Sequence, residues 1–167
     1  CQLAMPAGIF ETASNFFAVF GGGSYPIELE SNDTLNAVSK GNYYYVLTDT
    51  KINAFSTNGK LIYSYTHGYE NPVLKTSATR ALVFNQGSSE AMIFNLNDIK
   101  STISVKEKII NAAIADNGSY ALVTTTNSYA AAVSVYKKNG KQIYEWFSSQ
   151  DLVNNVAISP SGKKIAV

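Results

Sequence analysis

Ile52 to Tyr65 reads INAFSTNGKLIYSY, and Val133 to Trp146 reads VSVYKKNGKQIYEW. The glycines of the two NGK turns, Gly59 and Gly140, lie 81 residues apart, and a weaker copy between them, MIFNLNDIKSTISV, begins at Met92. Half of that separation is about 40 residues, the length of one four-stranded propeller blade. The repeat therefore predicts an all-β, β-propeller-like array of four-stranded antiparallel blades.

Short β-strand segments separated by polar turns fill the chain from Tyr25 onward. The second strand of successive blades recurs as YYYVLT, RALVFN, YALVTT and KKIAV. This pattern predicts about three and a half repeats, an incomplete array for a fold that usually closes with four to eight blades. The predicted strands are 37–38, 43–48, 52–56 and 60–66; 72–76, 80–85, 91–95 and 102–106; 110–115, 119–125, 131–137 and 142–148; and, in the partial fourth set, 153–159 and 164–167.

Turn residues agree with this division. Asn58-Gly59 and Asn139-Gly140 predict type I′ hairpins, because Asn and Gly both tolerate positive φ. Gly118 and Gly162 lie 44 residues apart in turns that join the first strand of a blade to its second. A β-sandwich would also have short strands, but not this super-period of about 40 residues.

The first 23 residues differ in composition from the rest. Apolar residues between Ile9 and Phe20 approach helical spacing, which predicts a short N-terminal amphipathic helix, and Gly21 to Gly23 would form a linker after it. We therefore divide the chain into an N-terminal segment, 1–23, and a partial propeller, 24–167. The helix could pack on the propeller or continue a membrane anchor that precedes it.

Composition excludes several classes of protein. The net charge of +1 provides no field that would attract nucleic acid. No run of 18 apolar residues is present, so membrane association would require an N-terminal anchor outside this sequence. The single cysteine, Cys1, excludes an internal disulfide framework, although a Cys at this position could carry a lipid.

An unclosed array leaves strand edges and an apolar blade face uncovered. The chain does not begin with Met and ends within a predicted strand, so a processed chain or a fragment is expected. We predict either a homodimer through the open propeller face or further C-terminal blades that cover it.

Catalytic motifs are not evident. His67 is the only histidine, so relays or metal sites that need two are excluded. Glu28 and Glu30 are two residues apart on a predicted edge strand, where solvent exposure explains them better than glycosidase chemistry. Gly21 to Gly23 lacks the Lys and Ser or Thr of a phosphate loop, and Asn95 to Asp98 is too short for a calcium loop. We predict no enzyme activity, no cofactor and no metal.

Tyrosine is abundant, and exposed tyrosines give broad contact at low entropic cost. The residues that could line a binding rim for a protein or a glycan are Tyr63, Tyr65, His67, Tyr69 and Trp146. Alternatively, these rings could fill the wedge-shaped gaps between blades.

The runs SYALVT, VSVYKKNGKQIYEW and SPSGKKIAV resemble an uncharacterised bacterial domain-of-unknown-function family of propeller-like proteins from Gram-positive anaerobes. The resemblance covers about residues 25–167, with YPIEL at the start of the first blade, and implies an N-terminal membrane anchor but no known catalytic or ligand residues. Gly140-Lys141 and Trp146 also loosely resemble quinoprotein-type repeats, without their cofactor-binding pattern.

These features predict a non-catalytic interaction or scaffold module, extracytoplasmic and associated with the cell envelope. One alternative is a sensory domain that binds a glycan or another ligand through the Tyr-rich rim. Another is a fragment of a quinoprotein-like enzyme.

Overall fold

The structure, a computed structural model, describes residues 33–97 and 100–167. Every regular element in these ranges is a β-strand. The strands are β1 (Thr34–Lys40), β2 (Tyr43–Thr48), β3 (Lys51–Ser56), β4 (Leu61–Thr66), β5 (Pro72–Thr76), β6 (Arg80–Asn85), β7 (Glu90–Asn95), β8 (Lys100–Ser104), β9 (Ile109–Ile114), β10 (Tyr120–Thr124), β11 (Ala131–Tyr136), β12 (Gln142–Ser148), β13 (Ala157–Ile158) and β14 (Ile165–Ala166).

The strands form four antiparallel sheets in chain order. Blade 1 is β1-β2-β3-β4, blade 2 is β5-β6-β7-β8, blade 3 is β9-β10-β11-β12, and the partial blade 4 is β13-β14. Each strand pairs with its neighbours in sequence, so every blade is a meander. This arrangement confirms the predicted four-stranded antiparallel blades, and most strand boundaries match the prediction to within one or two residues.

Two hairpins reproduce each other in detail. Gly59 N–H donates to the Ser56 carbonyl and Gly140 N–H donates to the Lys137 carbonyl, both at 2.9 Å. Gly59 has φ 80° and Gly140 has φ 81°. The turn therefore encloses two residues before the glycine, and the glycine forms a left-handed bulge. The predicted type I′ turn is wrong, because the Asn-Gly pair occupies the last two positions of a longer loop.

The core consists of layers between successive blades. One buried cluster joins blades 1 and 2 and includes Tyr45, Leu74 and Phe94. A second cluster joins blades 2 and 3 around Leu82, Phe84 and Leu122. Alternating side chains of each strand contribute to the two faces of a blade, so each blade is stabilised mainly by its neighbours.

Blade 4 is a short two-stranded hairpin. The segment 153–159 was expected to be one strand, and within it Ala157–Ile158 pairs with β14. The register Ala157↔Ala166 would place the partners of residues 153–155 after Val167, so this sequence holds no strand opposite them. Val153 is buried against blade 3, and the Asn111 amide donates to the Asn154 carbonyl at 2.6 Å.

Other predictions fall outside the described residues. They are the helix between Ile9 and Phe20, the linker Gly21 to Gly23, and the Glu28 and Glu30 pair. Within the described ranges, no helix has the length and apolar character needed to cross a membrane.

Candidate binding surfaces

The residues predicted to form a binding rim lie in two separate places. Tyr63, Tyr65, His67 and Tyr69 lie at the junction of blades 1 and 2, whereas Trp146 lies on the outer strand of blade 3. Tyr63, His67 and Tyr69 are only 5%, 5% and 6% exposed. The structure therefore does not assemble the five side chains into one exposed rim. Binding by the two more accessible residues, Tyr65 and Trp146, stays a prediction.

Aromatic packing explains why the rings at the first junction are buried. Phe94 of blade 2 stacks on Tyr65 and Tyr63 of blade 1, with ring centroids 5.2 and 5.7 Å apart. Tyr63 and Tyr65 also contact each other at 5.7 Å. Stacked rings at these distances are favourable beyond the area that they bury. These rings fill the gap between blades, which is the structural alternative that the sequence left open.

His67 has a structural role in the connection between β4 and β5. Its Nδ1 accepts a hydrogen bond from Tyr69 N–H at 3.0 Å, so Nε2 carries the proton and donates to the Thr48 carbonyl at 3.1 Å. The imidazole also stacks on the Tyr69 ring, with centroids 5.6 Å apart. Both ring nitrogens are therefore engaged within the fold.

Three buried tyrosines are held in their neutral form. Burial raises the pKa of Tyr45, Tyr69 and Tyr120 to about 12, because an ionised phenolate would lose its hydration. At neutral pH these side chains are protonated packing groups. Among the described residues there is also no cluster of three or more side chains that could hold a metal ion.

The outer strand of blade 3 presents apolar side chains to solvent. Ile143, Tyr144, Trp146 and Phe147 are 46%, 50%, 39% and 42% exposed, and we call these four residues the aromatic band. The Tyr129 ring lies tilted against the Phe147 ring, with centroids 4.9 Å apart. A groove of about 240 Å³ separates Ile143 and Tyr144 from Ile165 of β14.

The band is the counterpart of the covered surface on blade 1. Tyr144 pairs with Val135 as Tyr63 pairs with Ala54, and Trp146 pairs with Val133 as Tyr65 pairs with Ile52. Both strand pairs also have a register shift at the same point, directly after Val135 in blade 3 and directly after Ala54 in blade 1. Sequence reasoning selected only Trp146 from this band. Alignment of the two NGK repeats could have found Ile143 and Tyr144 as well, had the covering strand been considered.

Solved structures with the same fold define the class of the protein. Hsv2 of Kluyveromyces marxianus has a TM-score of 0.64 and 15% identity, covering 85% of this chain and 45% of that chain. Hsv2 of Kluyveromyces lactis has a TM-score of 0.60 and 12% identity, covering 85% and 47%. The C-terminal WD40 domain of Sif2 has a TM-score of 0.53 and 14% identity, covering 74% and 38%. At these identities the likeness shows the fold alone, a β-propeller, and the chain spans less than half the length of each structure.

The family follows from the sequence of the propeller region. Residues 23–167 match the model of a family of unknown function, DUF5711, and the chain belongs to that family. No curated protein matches the chain. The resemblance to a propeller-like family of unknown function is thereby confirmed.

Proposed function

We propose that this chain is a non-catalytic interaction module that binds protein through the aromatic band of blade 3. The observation that carries the proposal is the contrast between equivalent positions. Phe94 covers Tyr63 and Tyr65 on blade 1, whereas Tyr144 and Trp146 are 50% and 39% exposed on blade 3. Tyr144 and Trp146, two positions apart on β12, share the face that Phe94 covers in blade 1, and exposed apolar surface of this kind marks an interaction site.

The composition of the band suits a protein interface. Tyr, Trp and Phe are enriched at the centres of interfaces, where a few large side chains supply most of the binding free energy. A second groove, of about 570 Å³, borders Trp146 and Phe147 on the side of Leu152 and Val167. One groove therefore borders Ile143 and Tyr144 and the other borders Trp146 and Phe147, so side chains of a partner could insert at both places.

The partner that we propose is a second copy of the chain, joined through a two-fold axis. Apart from Leu35 and Leu61, the exposed large apolar side chains of the described residues all lie between Tyr129 and Val167. Within the part of the chain that the structure describes, the apolar surface that a second copy offers to the band is mainly its own band, and self-complementary contact is the usual geometry of homodimers. A net charge of +1 adds little repulsion between copies.

Trp146 is the only tryptophan, so it reports directly on whether the band is covered. We expect light scattering to give a dimer mass at high concentration. Over the same range, Trp146 emission should shift to the blue and become less accessible to acrylamide. The substitution Tyr144→Ser should abolish both changes.

Leu61→Ser is the matched control, because Leu61 is also 50% exposed but lies on the outer strand of blade 1. It should leave the dimer intact. A chain that stays monomeric at all concentrations, with Trp146 fully quenchable, would overturn the two-fold pairing. Equal loss of dimer in the Leu61 and Tyr144 variants would place the interface elsewhere.

The cellular setting is proposed on the resemblance to membrane-anchored bacterial proteins. On this basis the module is displayed outside the membrane of a Gram-positive cell, associated with the envelope. Digestion of the protein by protease added to intact cells would support this location, and protection until lysis would contradict it. Glycan binding through the proposed rim gains no support from the described residues, since three of its five side chains are buried. No observation on the described residues favours the quinoprotein alternative.

A further inference from the structure

The junction of blades 2 and 3 contains a cleft that the interaction surface does not use. Its volume is about 350 Å³, and it lies between β7 and β8 of blade 2 and the β11–β12 turn of blade 3. We infer that this cleft binds a small ligand that carries an oxyanion, a phosphate ester or a carboxylate, on a polyhydroxylated frame.

Two cationic side chains converge on the cleft from different blades. Arg80 begins β6, Lys138 lies in the β11–β12 turn, and both line the cleft. Both lie close to Gly118, whose φ is 89°: a Cβ built there would lie 3.0 Å from Lys138 Cγ and 3.2 Å from Arg80 Nε. Glycine is therefore the residue that lets both cations approach the same point.

Asp116, the acidic residue whose main chain contacts Arg80, has its carboxylate engaged elsewhere. The Asp116 carboxylate accepts a hydrogen bond from Ala78 N–H at 2.7 Å. Arg80 Nε donates to the Asp116 main-chain carbonyl, at 3.3 Å, and not to its carboxylate. The guanidinium is thus fixed through one nitrogen, and its terminal N–H groups are suited to bidentate recognition of an oxyanion.

The remaining walls suit a hydroxylated ligand. Ser101 and Thr102 of β8, with their hydroxyl groups, and Asn139 of the β11–β12 turn, with its amide, also line the cleft. Ile103 and Tyr120 supply apolar surface. Small-molecule sites combine apolar walls with a few polar groups in this way, and their volumes begin at about 300 Å³. The cleft therefore fits a ligand of the size of a monosaccharide phosphate or sugar acid.

The described residues of the preceding junction are packed differently. There, Phe94 of β7 fills the space beside Tyr63 and Tyr65 of β4. At the Arg80 position of the second strand, blades 1 and 3 have Tyr43 and Tyr120, and blade 4 has Lys164. The junction of blades 2 and 3 therefore combines a cation with a hollow, whereas the described part of the preceding junction has packed rings.

Isothermal titration calorimetry with glucose 6-phosphate, glucuronate, inorganic phosphate and glucose tests the inference. We expect saturable binding of at least one sugar anion, weakened by salt, and binding of neutral glucose at least tenfold weaker. The ester and the acid distinguish the two oxyanion types. No binding of any anion, or equal binding of glucose, would overturn the proposal.

Matched variants locate the site. Arg80→Gln should weaken binding about tenfold or more, and Lys138→Gln about threefold or more, whereas Lys137→Gln should leave it within twofold. Lys137 and Lys138 are both exposed and adjacent, but only Lys138 lines the cleft. Lys138 therefore tests the site without risk to folding, should Arg80→Gln perturb the contact with Asp116. Equal losses in the two lysine variants would show that general surface charge binds the anion and would overturn the site.

Discussion

The outer strands β4 and β12 have similar sequences, the same pairing register and the same bulge, yet opposite surroundings. Tyr63 is 5% exposed and Tyr144, at the same position of the repeat, is 50% exposed. The difference does not come from the strands themselves. It comes from Phe94, the third-strand residue of the following blade that covers Tyr63. In a repeat fold, the next repeat decides whether a side chain belongs to the core or to the surface.

The largest expected effect follows directly from this contrast. Tyr63→Ala removes a buried ring from a packed cluster and should lower the free energy of unfolding by about 3–5 kcal/mol. Tyr144→Ala removes a half-exposed ring and should lower it by less than about 1 kcal/mol. Urea denaturation, at a concentration where both variants are monomeric, gives the two values. Equal losses would mean that the aromatic band is already packed in the isolated chain.

A second prediction tests whether the difference between blades 1 and 3 is confined to their outer strands. Tyr45 and Tyr120 are buried in the interiors of blades 1 and 3, and burial raises the pKa of each to about 12. Between pH 10 and 12 the folded state keeps protons that the unfolded state releases. The associated stability is therefore fully present below pH 10 and is lost as the pH rises through 12, by about 2–3 kcal/mol per tyrosine.

Tyr45→Phe and Tyr120→Phe should each remove the pH-dependent contribution of one tyrosine to the free energy of unfolding. The stability of each variant should therefore fall less steeply above pH 10 than that of the unsubstituted chain. Thermal melts from pH 7 to pH 11.5 measure the slopes. Val46→Ala is the control, because Val46 is buried beside Tyr45 and its loss should cost the same at every pH. A flatter profile for Tyr45→Phe alone would show that the interior of blade 3 is hydrated.

The blade architecture could be predicted from the sequence because its signals are local. Asn-Gly turns, strand lengths and the repeat of about 40 residues each depend on a few neighbouring residues, and the strands of blades 1 to 3 follow from them. Whether the side chains of an outer strand are covered could not be predicted, because it depends on residues of the following blade. To predict that Tyr63 and His67 are buried, one would need to know that Phe94 contacts Tyr63 and that Thr48 contacts His67 in the folded chain. The same holds for Tyr69, which packs on His67.

The same limit applies to the cleft. Arg80 and Lys138 are 58 residues apart in sequence, and only the packing of blade 3 on blade 2 brings them to Gly118. This arrangement has no local sequence signal.

The smallest expected effect concerns the turns that precede the two outer strands. Gly59 and Gly140 have φ of 80° and 81°, a region where a side chain costs about 1–2 kcal/mol. A Cβ on Gly140 would meet nothing within 4 Å, so Gly140→Ala should cost only this backbone term. If blade 2 covers β4 but does not contact the β3–β4 turn, Gly59→Ala should lower the free energy of unfolding by the same amount as Gly140→Ala, within about 0.5 kcal/mol.

Urea midpoints of the two alanine variants decide the point. A clearly larger cost for Gly59→Ala would extend the packed junction of blades 1 and 2 to the hairpin loop, so that the two repeats differ along their whole outer edge. Equal costs would restrict the difference to the strand faces. The exposure of the band would then depend only on the neighbours of blade 3, because the β11–β12 hairpin would be as stable as the covered β3–β4 hairpin.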